Sequence, residues 1–184
     1  MRRYYELSGT KTRTFASSSS TVPIVFGRAD LSCLTKCSDS DKNNTRLLLH
    51  GLESDDFHEM VIVQRRVTWF PVKKSSSRTR SFFIISGALC VAWLDDVAEQ
   101  VVGAVVLKAG GHFISVRVPP GIYHVDFPLS TTTAHLESAS AVSEAQRDVI
   151  FPPEQCEQRL KQLVRSMAIA FLRRQNSIPS GQAT

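Results

Sequence analysis

The stretch from Ser81 to His124 decides the fold. It begins with SFFIISGALCVAWL over residues 81–94, resumes with VVGAVVLK over 101–108 and ends with SVRVPPGIYH over 115–124. These runs are short, rich in β-branched and aromatic residues, and bounded by Gly, Pro or Asp. Such a pattern is typical of the strands and turns of an antiparallel sheet that closes on itself. The sequence therefore predicts an all-β domain built as a small antiparallel β-barrel.

Two blocks within this stretch resemble the signature blocks of the cupins. The first is FFIISG, residues 82–87, and the second is VPPGIYH, residues 118–124. The subgroup that the chain resembles is the small WbuC-type cupin-fold metalloproteins, over residues 24–155, with further matching segments at 46–50, 57–62 and 150–154. The resemblance implies a cupin-like jelly roll with a divalent metal ion inside the barrel.

The metal site that the resemblance implies has lost most of its ligands. Catalytic cupins take two histidines and a glutamate from the first block and one histidine from the second. Here only the last is present, as His124, while Arg80 stands at the glutamate position and VKKSS follows Pro71, where the histidines are expected. Residues 61–86 contain no His, Asp, Glu or Cys.

The residues that replace the ligands carry positive charge, which opposes metal binding. A guanidinium keeps its proton, and a lysine ammonium has to lose one before it can bind a metal. We therefore expect no metal, no other cofactor and no catalytic residue. His124, the one remaining ligand position, is expected to be an interior histidine that hydrogen-bonds to its neighbours.

A rearranged metal site is the alternative. Its candidate ligands are His50, His58, Glu59, His112, His135 and Glu137. His58 and Glu59 are adjacent on a predicted strand and so point to opposite faces. His124 and His135 both lie on the returning strands, and they are the pair that such a site would use.

Four cations lie close together between two predicted strands: Lys73, Lys74, Arg78 and Arg80. If this segment lines the mouth of the barrel, it would bind a phosphate or a carboxylate, the anions that Arg and Lys favour. The same segment also fits a solvated loop or a patch that docks on an acidic partner.

Residues 1–22 are interpreted as a leader outside the fold. They are rich in Arg and Ser and contain a single acid, Glu6, which is the composition of an organellar transit peptide. The segment Arg13–Ala16 resembles a mitochondrial processing site. The sequence thus predicts mitochondrial localisation, with the cytoplasm as the alternative, and a barrel over 23–152 that begins with an edge strand at residues 22–26.

Residues 153–175 are predicted to form an amphipathic helix, followed by a tail over 176–184. One stripe of the helix is apolar and consists of Leu160, Leu163, Val164, Met167 and Phe171. Glu154 and Glu157 in the first turn and Arg173 and Arg174 in the last complement the helix dipole. The stripe is expected to pack on the chain's own barrel; the alternative is a partner or a second copy of the chain.

The net charge of +5 does not point to nucleic acid. Residues 1–16 carry a net +3, which leaves only +2 on the remainder of the chain, and so small a charge is no footprint for nucleic acid. No apolar run reaches the roughly 20 residues of a membrane-spanning helix. The four cysteines (Cys33, Cys37, Cys90 and Cys156) lack the second pair that a zinc site needs and are interpreted as reduced thiols.

These observations favour a degenerate, metal-free and non-catalytic cupin-fold protein that acts as a binding or structural subunit in mitochondria. Its expected partner is another protein or a second copy of the chain. One alternative is a metal-dependent cupin enzyme that acts on a sugar or small acid through His124 and a rearranged ligand set. The other is a small-anion binding module that uses Lys73, Lys74 and Arg80.

Overall fold

Strands follow the short apolar runs of the sequence. The computed structural model describes residues 4–7, 12–17, 23–41, 43–50, 56–66, 70–98, 100–140, 149–151, 165–170 and 172–173. The strands are β1 (Tyr4–Leu7), β2 (Arg13–Ser17), β3 (Thr45–Leu48), β4 (Phe57–Arg65), β5 (Val72–Lys74), β6 (Arg80–Ser86), β7 (Ala88–Leu94), β8 (Val101–Lys108), β9 (Ser115–Val118), β10 (His124–Pro128), β11 (Thr132–Ser140) and β12 (Val149–Phe151). One helix, α1 (Arg28–Asp41), precedes β3.

The strands form two sheets in the order of a jelly roll. The first sheet runs β1-β2-β3-β4-β11-β6-β9 and the second runs β12-β5-β10-β7-β8. Within them, β4, β11, β6 and β9 face β5, β10, β7 and β8, so that eight consecutive strands are shared between two sheets as two Greek keys. The prediction of an all-β, cupin-like jelly roll is confirmed.

The inner faces of the two sheets enclose one apolar core. Phe82 and Ile84 of β6 lie in it with Leu89 and Val91 of β7. Because side chains alternate along a strand, the neighbours of these residues face outward. The outer faces have apolar clusters of their own, and each is covered by helical chain.

β1 and β2 extend the first sheet, which corrects the interpretation of residues 1–22 as a leader outside the fold. β1 pairs antiparallel with β2, and β2 pairs parallel with β3. Phe15 and Ala16 are buried, and Phe15 packs with Leu47 and Val61 on the outer face of the sheet. The interpretation is therefore wrong for residues 4–7 and 12–17, while the rest of the segment lies outside the described residues. A transit peptide remains a prediction.

α1 replaces the edge strand that was expected near residues 22–26. Residues 23–27 form no strand, and the helix begins where the Asp30 carboxylate accepts a hydrogen bond from the Gly27 N–H at 2.9 Å, as in a capping box. Leu31 and Leu34 then pack on the outer face of the first sheet. Because α1 links the parallel strands β2 and β3, this part of the chain is a β-α-β unit.

The chain is helical again at 165–170 and 172–173, within the predicted C-terminal helix. Ala168 is fully buried against Cys90 and Phe127 on the outer face of the second sheet, and the Arg165 guanidinium lies 5.8 Å from the centre of the Phe127 ring. Packing on the chain's own barrel is therefore the arrangement found. The remainder of 153–175 and the tail 176–184 lie outside the described residues. Across the described chain, no helix is long and apolar enough to span a membrane.

Candidate functional site

Polar side chains from both sheets face the interior of the barrel. Lys73 pairs with His124 across β5 and β10, and Asp126 follows two residues later on the same face. From the first sheet, His135 and Glu137 pair with Ile84 and Phe82, both interior residues. We call the following set the interior polar cluster: Gln64, Lys73, Arg80, His124, Asp126, His135 and Glu137.

Arg80 and Glu137 form a buried ion pair at the centre of this cluster. Nη1 of Arg80 donates to Oε1 of Glu137, and the two side chains are only 6% and 5% exposed. Burial by itself raises the pKa of Glu137, but Lys73 and Arg80, together with His135 and the hydrogen bond from Arg80, lower it to about 2. Glu137 is therefore ionised and its charge is matched by the guanidinium.

The two interior histidines are neutral. Burial, helped by the charge of Lys73, lowers the pKa of His124 to about 4. Burial also lowers the pKa of His135 to about 4, against the opposing effect of Glu137. Phe82 packs against both histidines: its ring centre lies 6.2 Å from that of His124 and 6.0 Å from that of His135.

Several polar atoms of the cluster have no hydrogen-bond partner among the described residues. Nδ1 of His124 donates to the Ile122 carbonyl at 3.0 Å, which leaves Nε2 as an acceptor without a partner. Six further buried atoms also have no hydrogen-bond partner in the described part of the chain. They are both ring nitrogens of His135, both carboxylate oxygens of Asp126 and both amide atoms of Gln64. Burial raises the pKa of Asp126 to about 6, although Lys73 opposes the shift.

The structure divides the four cations that were considered as an anion site. Lys73 and Arg80 face the interior, and Arg80 is engaged by Glu137. Lys74 points to the opposite face of β5, where its Nζ lies 4.2 Å from the centre of the Tyr123 ring. Arg78 lies in the connection between β5 and β6, where its backbone N–H donates to Ser75 Oγ at 3.1 Å. Lys73 and Arg80 are thus the two members that come together.

The other sequence candidates are distributed as follows. His124 and His135 both lie next to the Phe82 ring. His50 stacks on His58 with ring centres 4.4 Å apart at the start of β4, and His112 packs on Phe113 in the turn after β8. Glu59 accepts a hydrogen bond from Ser138 at 3.0 Å on the outer face of the first sheet.

Two members of the cluster were missed by the sequence reasoning. Asp126 is two residues from His124 on a strand, so alternation alone places both on one face. Gln64 follows Ile62 in the same way, and Ile62 pairs with His135. Alternation along the strand was thus a usable signal for Asp126 and Gln64. The partner of Arg80, by contrast, lies 57 residues away in the chain, and no local sequence pattern marks it.

The described residues do not fit the divalent metal that the resemblance to cupins implies. Arg80 and Lys73 bring positive charge to the interior, and the carboxylate of Glu137 is already paired. In the part of the chain that the structure describes, no group of three or more His, Cys, Asp or Glu side chains is arranged to hold a metal ion.

No protein-family model matches this chain, and neither does any curated protein. Among solved structures, similar ones include the capsular polysaccharide assembling protein CapF of Staphylococcus aureus, with 14% identity, a TM-score of 0.43, and coverage of 55% of this chain and 25% of CapF. KdgF from a Halomonas species shows 12% identity, a TM-score of 0.42, and coverage of 55% of this chain and 83% of KdgF. The DMSP lyase DddQ of Ruegeria pomeroyi shows 16% identity, a TM-score of 0.47, and coverage of 64% of this chain and 56% of DddQ.

These structures are of cupin-fold proteins. This chain spans only a quarter of the length of CapF. At such identities, and with TM-scores below 0.5, the likenesses carry no argument about activity or ligand, and the narrower resemblance to the WbuC-type subgroup stays a prediction. The cupin-like fold of this chain is established by its own strand order, in which two four-stranded halves of a jelly roll enclose the apolar core and the interior polar cluster.

Proposed function

We propose that this chain is a metal-independent, non-catalytic protein that uses the cupin-like barrel as a binding or structural subunit of a larger assembly. The observation that carries the proposal is the buried pair of Arg80 and Glu137. The guanidinium stands where the resemblance to cupins places a ligand carboxylate, so a cation occupies the interior in the place of a metal.

Electrostatics support the absence of a metal. At an effective dielectric constant of about 20, two unit charges ~4 Å apart repel each other by about 4 kcal/mol, and a divalent ion doubles that figure. Lys73 and Arg80 both face the interior and both repel a metal cation. The charge of Glu137 is already matched, which leaves Asp126 as the only other interior carboxylate of the cluster.

The state of the two interior histidines and of Cys90 supports a role without catalysis. A general acid or base works best with a pKa near the working pH, whereas His124 and His135 have pKa values of about 4 and are neutral at pH 7. Burial raises the pKa of the Cys90 thiol to about 12, so this cysteine is not a nucleophile either.

Metal analysis of the purified full-length protein tests the proposal. We expect metal far below one equivalent per chain, both in the wild type and in His124→Ala, after loading with iron, manganese or zinc and desalting. One equivalent of metal in the wild type that is lost in His124→Ala would contradict the proposal and favour a metal-dependent enzyme with a rearranged ligand set.

Mitochondrial localisation is a separate proposal, and the composition of residues 1–22 supports it. Cleavage near Arg13–Ala16 would remove β1 and cut β2, so we propose that the imported protein keeps these strands. Subcellular fractionation followed by intact-mass measurement tests both statements. Absence from mitochondria contradicts the localisation, and a mature chain without residues 1–16 contradicts the retention.

A second candidate function is the binding of a small anion in the interior. It is favoured by Lys73, which faces the cluster, and by the unpartnered ring nitrogens of His135. Thermal shift with phosphate and with dicarboxylates tests it, since binding to the folded state raises the melting temperature. We expect Lys73→Gln to abolish such a shift and Lys74→Gln, on the opposite face of β5, to retain it.

A further inference from the structure

β8 is an edge strand of the second sheet. One side of it pairs with β7, from Ala88 with Lys108 to Leu94 with Val101, and no described strand pairs with the other side. The free side of an edge strand presents a row of N–H and C=O groups to which another strand can add. At this edge, the sheet is therefore open to extension.

The composition of β8 does nothing to prevent such pairing. Natural proteins protect edge strands with short length, with charges, with proline or with β-bulges. β8 has one irregularity of register, at Val102 opposite Trp93 and Leu94, and pairs regularly with β7 from Gly103 to Lys108. β8 has eight residues, VVGAVVLK, with no proline and a single charge at its last position. By comparison, β9 at the edge of the first sheet has four residues and an arginine in its middle.

Exposed apolar side chains gather at both ends of β8. Val97 and Val102 lie at its beginning, and Phe113 and Ile114 lie in the turn that follows its end. All four are 45% to 60% exposed, and they are half of the eight large hydrophobic side chains that are exposed in the described chain. These side chains form two small exposed apolar groups, one at each end of the strand, and they favour an interaction surface along this edge.

The charges at the two ends of β8 are opposite. Asp96 is exposed in the turn before the strand, and Lys108 is exposed at its end. If two copies of β8 run antiparallel, Lys108 of each copy lies at the end where Asp96 of the other copy stands. The apolar ends also meet, because Val97 and Val102 of one copy face Phe113 of the other.

We propose that the chain forms a homodimer in which β8 of one copy pairs antiparallel with β8 of a second copy. The two five-stranded sheets then join into one continuous sheet across a two-fold axis, and the interface is self-complementary as that symmetry requires. The proposed function requires a partner subunit, and the dimer identifies that partner as a second copy of the chain. The dimer does not depend on whether the barrel binds a metal.

The mass of the full chain in solution tests the dimer. By light scattering after size exclusion, we expect twice the 20.4 kDa of one chain. Val102→Lys places a charge at the edge and is expected to raise the dissociation constant at least about tenfold, the equivalent of about 1.4 kcal/mol. Val25→Lys, at an exposed site before α1, is the matched control and is expected to leave the mass unchanged.

A charge exchange tests the register of the two strands. Lys108→Glu and Asp96→Lys are each expected to weaken the dimer because each brings like charges together at both ends of the interface. The double variant restores opposite charges and is expected to recover most of the affinity. Circular dichroism of each variant confirms that the barrel is folded.

Two outcomes overturn the inference. The first is a monomeric wild type at 100 μM, and the second is a dimer that Val102→Lys and Lys108→Glu leave intact. The proposed function fails on a different measurement, which is stoichiometric metal bound through His124, so the two failures are distinguishable.

Discussion

Arg80 and Glu137 meet inside the barrel, where Nη1 of the arginine donates a hydrogen bond to Oε1 of the glutamate. They come from the neighbouring strands β6 and β11, and each is buried. Two opposite charges taken out of water together stabilise little, but either one left alone is costly. Removal of one member alone is therefore expected to destabilise the folded protein, and this leads to the first of four predictions.

Breaking the pair from one side is expected to destabilise the protein strongly. Arg80→Ala leaves the Glu137 carboxylate buried without its partner, which costs about 3–5 kcal/mol. Arg80→Met combined with Glu137→Leu removes both charges and is expected to recover most of the loss. Urea unfolding gives the free energies. If Arg80→Ala costs less than about 1 kcal/mol, which is the value of a solvent-exposed ion pair, the pair is not buried from water as the structure indicates.

Stability is expected to fall as the pH drops from 6.5 to 4. The pKa of His124 and of His135 is about 4 in the folded protein, below the ordinary value of 6.5, so the unfolded chain binds more protons in this interval. Asp126 acts in the opposite direction, because its pKa is raised to about 6, but two histidines outweigh one carboxyl. Glu137, with its pKa depressed to about 2, adds a further loss only below pH 4.5.

Urea midpoints at pH 7 and pH 4.5 check this dependence. The expected loss is several kcal/mol in the wild type, since one pKa unit corresponds to about 1.4 kcal/mol. His124→Gln combined with His135→Gln is expected to flatten or reverse the profile over this interval. A double variant that keeps the full loss would show that other groups take up the protons.

The amino-terminal strands are expected to contribute to stability. Phe15→Ala removes a buried ring that packs on Leu47 and Val61, and such a deletion costs about 3 kcal/mol. Tyr5→Ala, at an exposed position of β1, is the control and is expected to cost less than about 1 kcal/mol. Equal, small effects would mean that residues 1–17 are dispensable, as a cleavable leader requires.

Cys90 is expected to be protected by the C-terminal helical segment. The thiol is buried beside Ala168, and its pKa is raised to about 12 by burial. In a variant with Cys33, Cys37 and Cys156 changed to Ala, labelling by a thiol reagent is expected only on unfolding. Truncation after residue 152 should expose Cys90 and speed the reaction at least about tenfold, provided the truncated chain stays folded. Fast labelling of the full-length variant would place the helical segment elsewhere.

The barrel was predictable because its strands carry their own signals. The runs in 81–124 alternate or are uniformly apolar and end at turn residues, and these local features follow from the geometry of a strand. α1 was missed because its sequence, RADLSCLTKCSDSD, is mostly small and polar, so that only Leu31 and Leu34 mark its buried stripe. β1 and β2 were missed because the basic composition of the segment outweighed its short alternation.

The interior was predictable only in part. The resemblance puts Arg80 and His124 at ligand positions inside the barrel, and both side chains face the interior. The four cations were considered together at the mouth of the barrel, and of these only Lys73 and Arg80 face inward. The use of Glu137 was not predictable, because its pairing with Arg80 depends on two distant strands lying side by side. What a strand faces can be read from alternation, but which charges meet across an interior is decided by topology.

The parallel junction of β2 with β3 through α1 has a consequence for synthesis. A ribosome delivers these three elements before any strand of the jelly roll, and they are contiguous from residue 13 to residue 48. Every pairing that later closes the barrel from β11 must wait until residue 140 has emerged. The apolar cluster that Phe15, Leu34 and Leu47 begin is therefore completed only later, when Val61 and Val63 of β4 and Ala134 of β11 have been synthesised.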